Sequence, residues 1–151
     1  MLCKIKHGIQ NLIKWFPVVW KDRDWDQHFI YKILHFKLSR MEKYQREYGM
    51  STISNDIADQ IKLCVNLLDR ITKHDYIDNA FLFHNRKWGE LNLDFKQNGL
   101  FYNVEKANTE EEKKIENKAR MRLYKHVDYL EEQDKDMLFN NMKKYINGWW
   151  D

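Results

Sequence analysis

Residues 54–73 read SNDIADQIKLCVNLLDRITK, and their spacing decides the fold class. Ile57, Ile61, Cys64, Leu68 and Ile71 alternate steps of four and three, the period of a helix face packed along a nearly parallel or antiparallel neighbour. Leu63 and Leu67 widen that face. A seam this regular needs partner helices, and the flanking sequence offers them.

Upstream, Asp24 is an N-cap residue type, Gln27 stands where a capping box needs it, and Gly49 can close the far end. The predicted helix runs from Trp25 to Tyr48. Ile30, Leu34, Leu38 and Met41 form one apolar row and Trp25, Phe29, Ile33 and Phe36 another, which predicts burial across a broad face. Further upstream, LCKIKHGIQNLIKWF (2–16) sets Leu2, Ile5, Ile9, Leu12, Ile13 and Phe16 at helical spacing, with Pro17 as its stop. A basic amphipathic helix of this kind can lie on a membrane surface; the expectation here is a terminal helix packed on its own domain.

Downstream the period changes. In ELNLDFKQNGLFYNVEK (90–106), Leu91, Leu93 and Phe95 alternate with polar residues, and Asn98-Gly99 predicts a two-residue hairpin turn that sets Phe95 opposite Tyr102 and Leu93 opposite Val104. FLFH (81–84) is a candidate third strand. Thr109 with Glu112 forms a second capping box, opening a helix whose inward face is Ile115, Ala119, Leu123, Val127 and Leu130. The chain is expected to turn in EEQDKD (131–136), where Asp134 would cap a last helix carrying Leu138, Met142, Tyr145 and Ile146. Gly148, taken as left-handed, would then fold Trp149 and Trp150 back onto the helices. The predicted architecture is mainly α: a multi-helix bundle with a small β-hairpin excursion at about residues 90–105, in a single helical domain over 1–151.

Composition supports a packed domain. Hydrophobic residues are 43% and charged residues 32% of the 151, which excludes a disordered tail. The 26 Lys and Arg nearly balance the 23 Asp and Glu, so a strongly basic nucleic-acid face is not expected. Residues 1–20 are the exception, with Lys4, Lys6 and Lys14 and no acid. Cys3 and Cys64 are too few and too distant for a disulfide framework or a cysteine zinc site. Nothing reads as a secretory signal or a membrane span, so the expected location is cytoplasmic.

Four constellations are candidates for chemistry. The acids of DRDWD, Asp22, Asp24 and Asp26, could gather a divalent cation, but acids before a helix more often cap its amides. His74 and Asp75, with His35 upstream and Asp78, Asp128 or Asp134 downstream, have the residue types of HD-type metal-dependent phosphohydrolases. HNRKWGE (84–90), read as a loop before the hairpin, could present Trp88 for stacking and Arg86 and Lys87 for phosphate, beside Glu90, although Trp88 more often anchors such a loop to the core with Glu90 paired to a lysine. Trp149 and Trp150 are either core or a partner-binding patch. No nucleophile triad, P-loop or dinucleotide-binding glycine pattern appears, and no cofactor is expected.

WKDRDWD, HNRKWGE and the closing GWWD, with KLCVNLLDRI between, resemble a family of small bacteriophage-encoded proteins that carries no established activity. The resemblance implies a phage accessory protein acting in the infected bacterial cell. The expected role is a non-catalytic binding module, a host-defence inhibitor or a protein sequestering a nucleotide or nucleic acid, with Arg86, Lys87, Trp88, Glu90, Trp149 and Trp150 as binding residues. The alternatives are a metal-dependent phosphohydrolase using His35, His74, Asp75, Asp22, Asp24 or Asp26, and a minor virion component.

Overall fold

The structure, a computed structural model, describes the backbone of residues 2–73, 75–96 and 99–149, and the side chains of 5–73, 76–92 and 104–149. The order of elements is α1 (Leu2–Val19), α2 (His28–Tyr48), α3 (Ser54–Lys73), α4 (Asp75–Trp88), β1 (Leu91–Lys96), β2 (Gly99–Val104), α5 (Glu110–Tyr145) and a short 3-10 turn, Ile146–Gly148. The architecture is mainly α with one small hairpin. The chain gathers into two compact units, Met1–Thr72 with Met137–Asp151, and Lys73–Asp136.

In the first unit α3 is the heart of the core. Ile57, Ile61, Cys64, Leu68 and Ile71 are all buried, with Val65 and Leu67, and they pack with Leu38, Leu138 and Trp149. Leu63, counted in the seam, instead exposes 40% of its surface because it falls on the far flank of the stripe. Burial drives the Cys64 thiol up to about 11, so it sits in the core as a small neutral group.

Two boundaries in this unit differ from the sequence reading. Pro17 lies inside α1, which continues to Val19: a proline in the last turn forfeits one amide donor, yet Trp20 N–H still reaches Phe16 O at 2.9 Å. The N-cap of α2 is Gln27, and the amide of His28, its first residue, is taken up by Asp26 Oδ1 at 3.0 Å, so the helix starts later than a cap at Asp24 implies. Trp25 is left in the preceding turn, 83% exposed, and Ile30 is exposed too; the buried line of α2 is Phe29, Leu38 and Gln45. Gly49 follows in an extended conformation, and a Cβ there would meet Gln45 O and the Ser54 side chain at 2.5 Å, so only glycine lets α2 pass so closely into α3.

The carboxyl end is anchored, though by another route than expected. Gly148 belongs to the 3-10 turn and does not have the positive φ of a left-handed cap; among the described glycines Gly89 does. Trp149 is nonetheless 2% exposed. Its indole N–H donates to Gln60 Oε1 and its carbonyl accepts from Gln45 Nε2, both at 3.2 Å. Trp150 lies outside the described residues.

In the second unit the segment with FLFH is not a strand. It lies within α4, where Ile77, Phe81, His84 and Trp88 recur at steps of four and three. The strands β1 and β2 pair antiparallel with Leu91 opposite Val104, Leu93 opposite Tyr102 and Phe95 opposite Leu100. This register is two residues away from the one Asn98-Gly99 implies, and Asn98 lies outside the described residues. An even slip keeps every side chain on its face, so the apolar alternation cannot distinguish the two.

The helix α5 opens as read: Thr109 Oγ1 accepts the Glu112 amide at 3.2 Å, and Glu112 Oε2 accepts the Thr109 and Asn108 amides at 3.0 Å. Those bonds hold the Glu112 carboxyl below the usual carboxylate range. The turn expected at EEQDKD is absent, and α5 runs unbroken to Tyr145. The stretch lacks Gly and Pro, Lys135 pairs with Glu131 and Glu132 at 2.9 Å, and Asp134 accepts the Tyr76 hydroxyl instead of capping a helix.

Candidate functional site

The inward stripe of α5 is not wholly apolar. Glu116, Arg120, Leu123, Val127, Leu130 and Asp134 follow one another at steps of four and three, and Glu116, Arg120, Val127 and Asp134 are buried. Ile115, expected inside, is 58% exposed. The helix is therefore rotated so that an acid and a base enter the interior of the second unit one turn apart.

They meet α4 at His84. The side chains of His84, Glu116 and Arg120 are 6%, 1% and 7% exposed. His84 Nε2 and Arg120 Nε both approach Glu116 Oε1 at 3.4 Å. These are ion-pair approaches without hydrogen-bond geometry at His84: both of its ring nitrogens and Glu116 Oε2 are buried with no hydrogen-bond partner. A buried carboxylate oxygen and imidazole nitrogen without partners are costly in a folded protein, and such groups mark places where a further molecule can complete the set.

These groups line a cavity of about 950 Å³. Ile77, Phe81, Leu82 and Tyr124 give it an apolar and aromatic wall, with the Phe81 and Tyr124 rings 5.0 Å apart. Exposed residues at its edge are Asp78, Arg86, Glu90, Glu105 and Lys106. The edge is shaped by the end of α4. Gly89 turns out of the helix at φ +78°, its amide donating to Asn85 O at 2.8 Å, and a Cβ there would meet Glu105 Cβ at 2.7 Å. Lys106 then caps the helix end: its amide donates to Trp88 O at 3.0 Å and its Nζ to Arg86 O at 3.1 Å. The lining thus joins an apolar and aromatic wall to many charged side chains, with Glu116 and His84 the buried polar groups among them.

The sequence candidates are distributed as follows. HNRKWGE is the last turn of α4 and its exit, not a free loop. Arg86 lies over the Phe83 ring at 5.5 Å and Lys87 over the Trp88 ring at 4.8 Å, so both cations rest against aromatic faces near them in sequence and do not form a phosphate cradle. Arg86 and Glu90 border the cavity, and Trp88 is half-buried. Trp149 is core in the first unit and presents no ring to a partner.

For the metal reading, His35 pairs with Asp69 at 3.4 Å in the first unit, and Asp26 pairs with Lys32 at 3.5 Å while Asp22 and Asp24 are exposed in the turn before α2. His74 and the Asp75 side chain lie outside the described residues. Among the described residues no three His, Cys, Asp or Glu side chains converge as a metal site would require. Glu116 and Arg120 were missed because apolar residues alone were followed along α5; their signal was two charges falling in phase with the apolar stripe.

Comparison of the chain with protein-family models, with curated proteins and with solved structures finds no match.

Proposed function

We propose that the chain is a binding module working without catalytic turnover, and that its ligand enters the cavity of the Lys73–Asp136 unit to meet Glu116 and His84. The observation that carries this reading is the pair of unpartnered atoms, Glu116 Oε2 and His84 Nδ1, buried beneath an aromatic-walled cavity. A carboxylate oxygen only accepts, so the ligand brings an N–H or O–H donor. The Phe81 and Tyr124 rings suit a flat partner.

Charge narrows the class further. Asp78, Glu90, Glu105 and Glu116 face Arg86, Lys106 and Arg120, so the lining holds more acid than fixed cation. A phosphate-bearing ligand would be held poorly there, and a neutral or singly cationic planar donor, such as a nucleoside or an aryl amidine, is held well. Of the nucleotide expected from the sequence, the cavity chemistry favours the base over the phosphates. The resemblance of the tryptophan-bearing blocks supports placing this module among phage accessory proteins of the infected bacterial cell.

Calorimetric titration with adenosine, benzamidine and adenosine monophosphate tests the reading. Adenosine or benzamidine should bind, and Glu116→Gln should weaken that binding roughly tenfold or more, the value of a lost charge-assisted hydrogen bond. Tighter binding of the monophosphate, lost on Arg86→Ala, would overturn the charge argument. Failure of all three probes to bind would overturn the site.

A further inference from the structure

The first unit carries a surface that the cavity does not explain. On α1, Ile5, Ile9, Leu12, Ile13 and Phe16, with Trp20 just past its end, each expose half or more of their surface. Their steps of three and four put them on one face. A terminal helix packed by its apolar stripe was the expectation, and the structure reverses it. The helix is held to α2 by its other flank: Trp15 meets Phe36 edge-on with centroids 4.8 Å apart, and Arg40 donates to Asn11 Oδ1 at 3.2 Å. Trp15 and Val18 are half-buried there, so the richest apolar stripe of the helix points away from the unit. A contiguous exposed stripe of this size marks a contact surface.

Charge identifies what covers it. From residue 1 to residue 21 the chain carries Lys4, Lys6, Lys14 and Lys21 and no acid; the first is Asp22, in the turn beyond the helix. A second copy of the same stripe would bring like charges together, whereas an anionic lipid surface supplies the opposite charge and an apolar layer at once. The exposed ring of Trp20 fits the same setting, since indoles favour the headgroup region. Among the described residues no helix is long and apolar enough to cross a membrane, and a helix with this pattern would lie in the interface plane.

We infer that α1 docks the protein on anionic bilayers, its Ile5–Trp20 stripe entering the interface and the exposed Lys6 and Lys21 meeting lipid phosphates. Flotation with vesicles of phosphatidylcholine, alone or mixed with phosphatidylglycerol, tests this. The full chain should float with the anionic vesicles and not with the neutral ones. Lys6→Gln with Lys21→Gln should weaken binding by roughly thirtyfold, as should high salt in part. Leu12→Ser with Ile13→Ser should weaken it by about a hundredfold, with the melting point unchanged because both side chains are already exposed. Equal flotation with both vesicle types, no flotation, or a stripe-dependent dimer in sedimentation would each overturn the proposal, the last by identifying a second copy as the occupant.

Discussion

Replacing Trp149 by alanine should be among the most damaging single changes in the first unit. The ring is 2% exposed and packed with Leu38, Ile61 and Leu138 in one core cluster. Removing a buried indole typically costs about 3–5 kcal/mol, through lost burial and the cavity left behind. In a chain of this length each kcal/mol moves the melting point by roughly 2–4 °C, so a fall of about 6–20 °C is expected. Deleting residues 149–151 should cost about 1–3 kcal/mol more, because Gln45, buried and donating to the Trp149 carbonyl, loses its acceptor. Trp149→Phe should fall between, keeping most of the ring but leaving Gln60 without the indole N–H. Trp25→Ala, at an 83% exposed position, is the control and should stay within about 0.5 kcal/mol of the parent. The assay is thermal unfolding followed by circular dichroism. Should Trp149→Ala unfold at the parent's midpoint, the terminal indole is not part of the core.

Arg120→Met leaves the buried Glu116 carboxylate without its guanidinium and should cost about 3–5 kcal/mol, a loss that adding Glu116→Gln partly restores; additivity of the two in thermal melts would refute their coupling. Gly89→Ala should destabilise by more than about 1 kcal/mol, since it must adopt φ +78° and meet Glu105, and an unchanged midpoint would contradict that geometry. In alkali, the folded Cys64 thiol keeps its proton up to about pH 11 while the unfolded chain releases it nearer pH 9. Fewer protons are then bound by the unfolded state, so stability is complete below pH 9 and falls through that window, by at most about 1.4 kcal/mol per pH unit. A Cys64→Ala chain should lack this slope, which comparative unfolding at pH 8 and pH 10 would reveal.

What was legible in the sequence followed apolar period. The face of α3 was readable because five apolar residues hold strict helical steps, and the capping box at Thr109 and Glu112 because its chemistry is local. The hairpin was legible as a hairpin, but not its register, since a slip of two leaves the alternation intact. Where charged residues enter the interior, the pattern misled. Glu116 and Arg120 pull α5 into a rotation that exposes Ile115, and Asp134 is held by Tyr76, so the charges that seemed to mark a turn are part of an unbroken helix. The α1 stripe was read correctly as amphipathic; which way it faces depends on Trp15 and Asn11 meeting α2, a tertiary contact that periodicity does not encode.

Whether the cavity takes a ligand is read at the His84 imidazole, followed by nitrogen-detected NMR on the full chain as adenosine or benzamidine is added. Binding at the cavity should move the His84 Nδ1 resonance and leave that of His35, in the first unit, in place. If His84 is unmoved at saturating ligand, or if Glu116→Gln binds as the parent does, the cavity beneath Phe81 and Tyr124 is not the binding site.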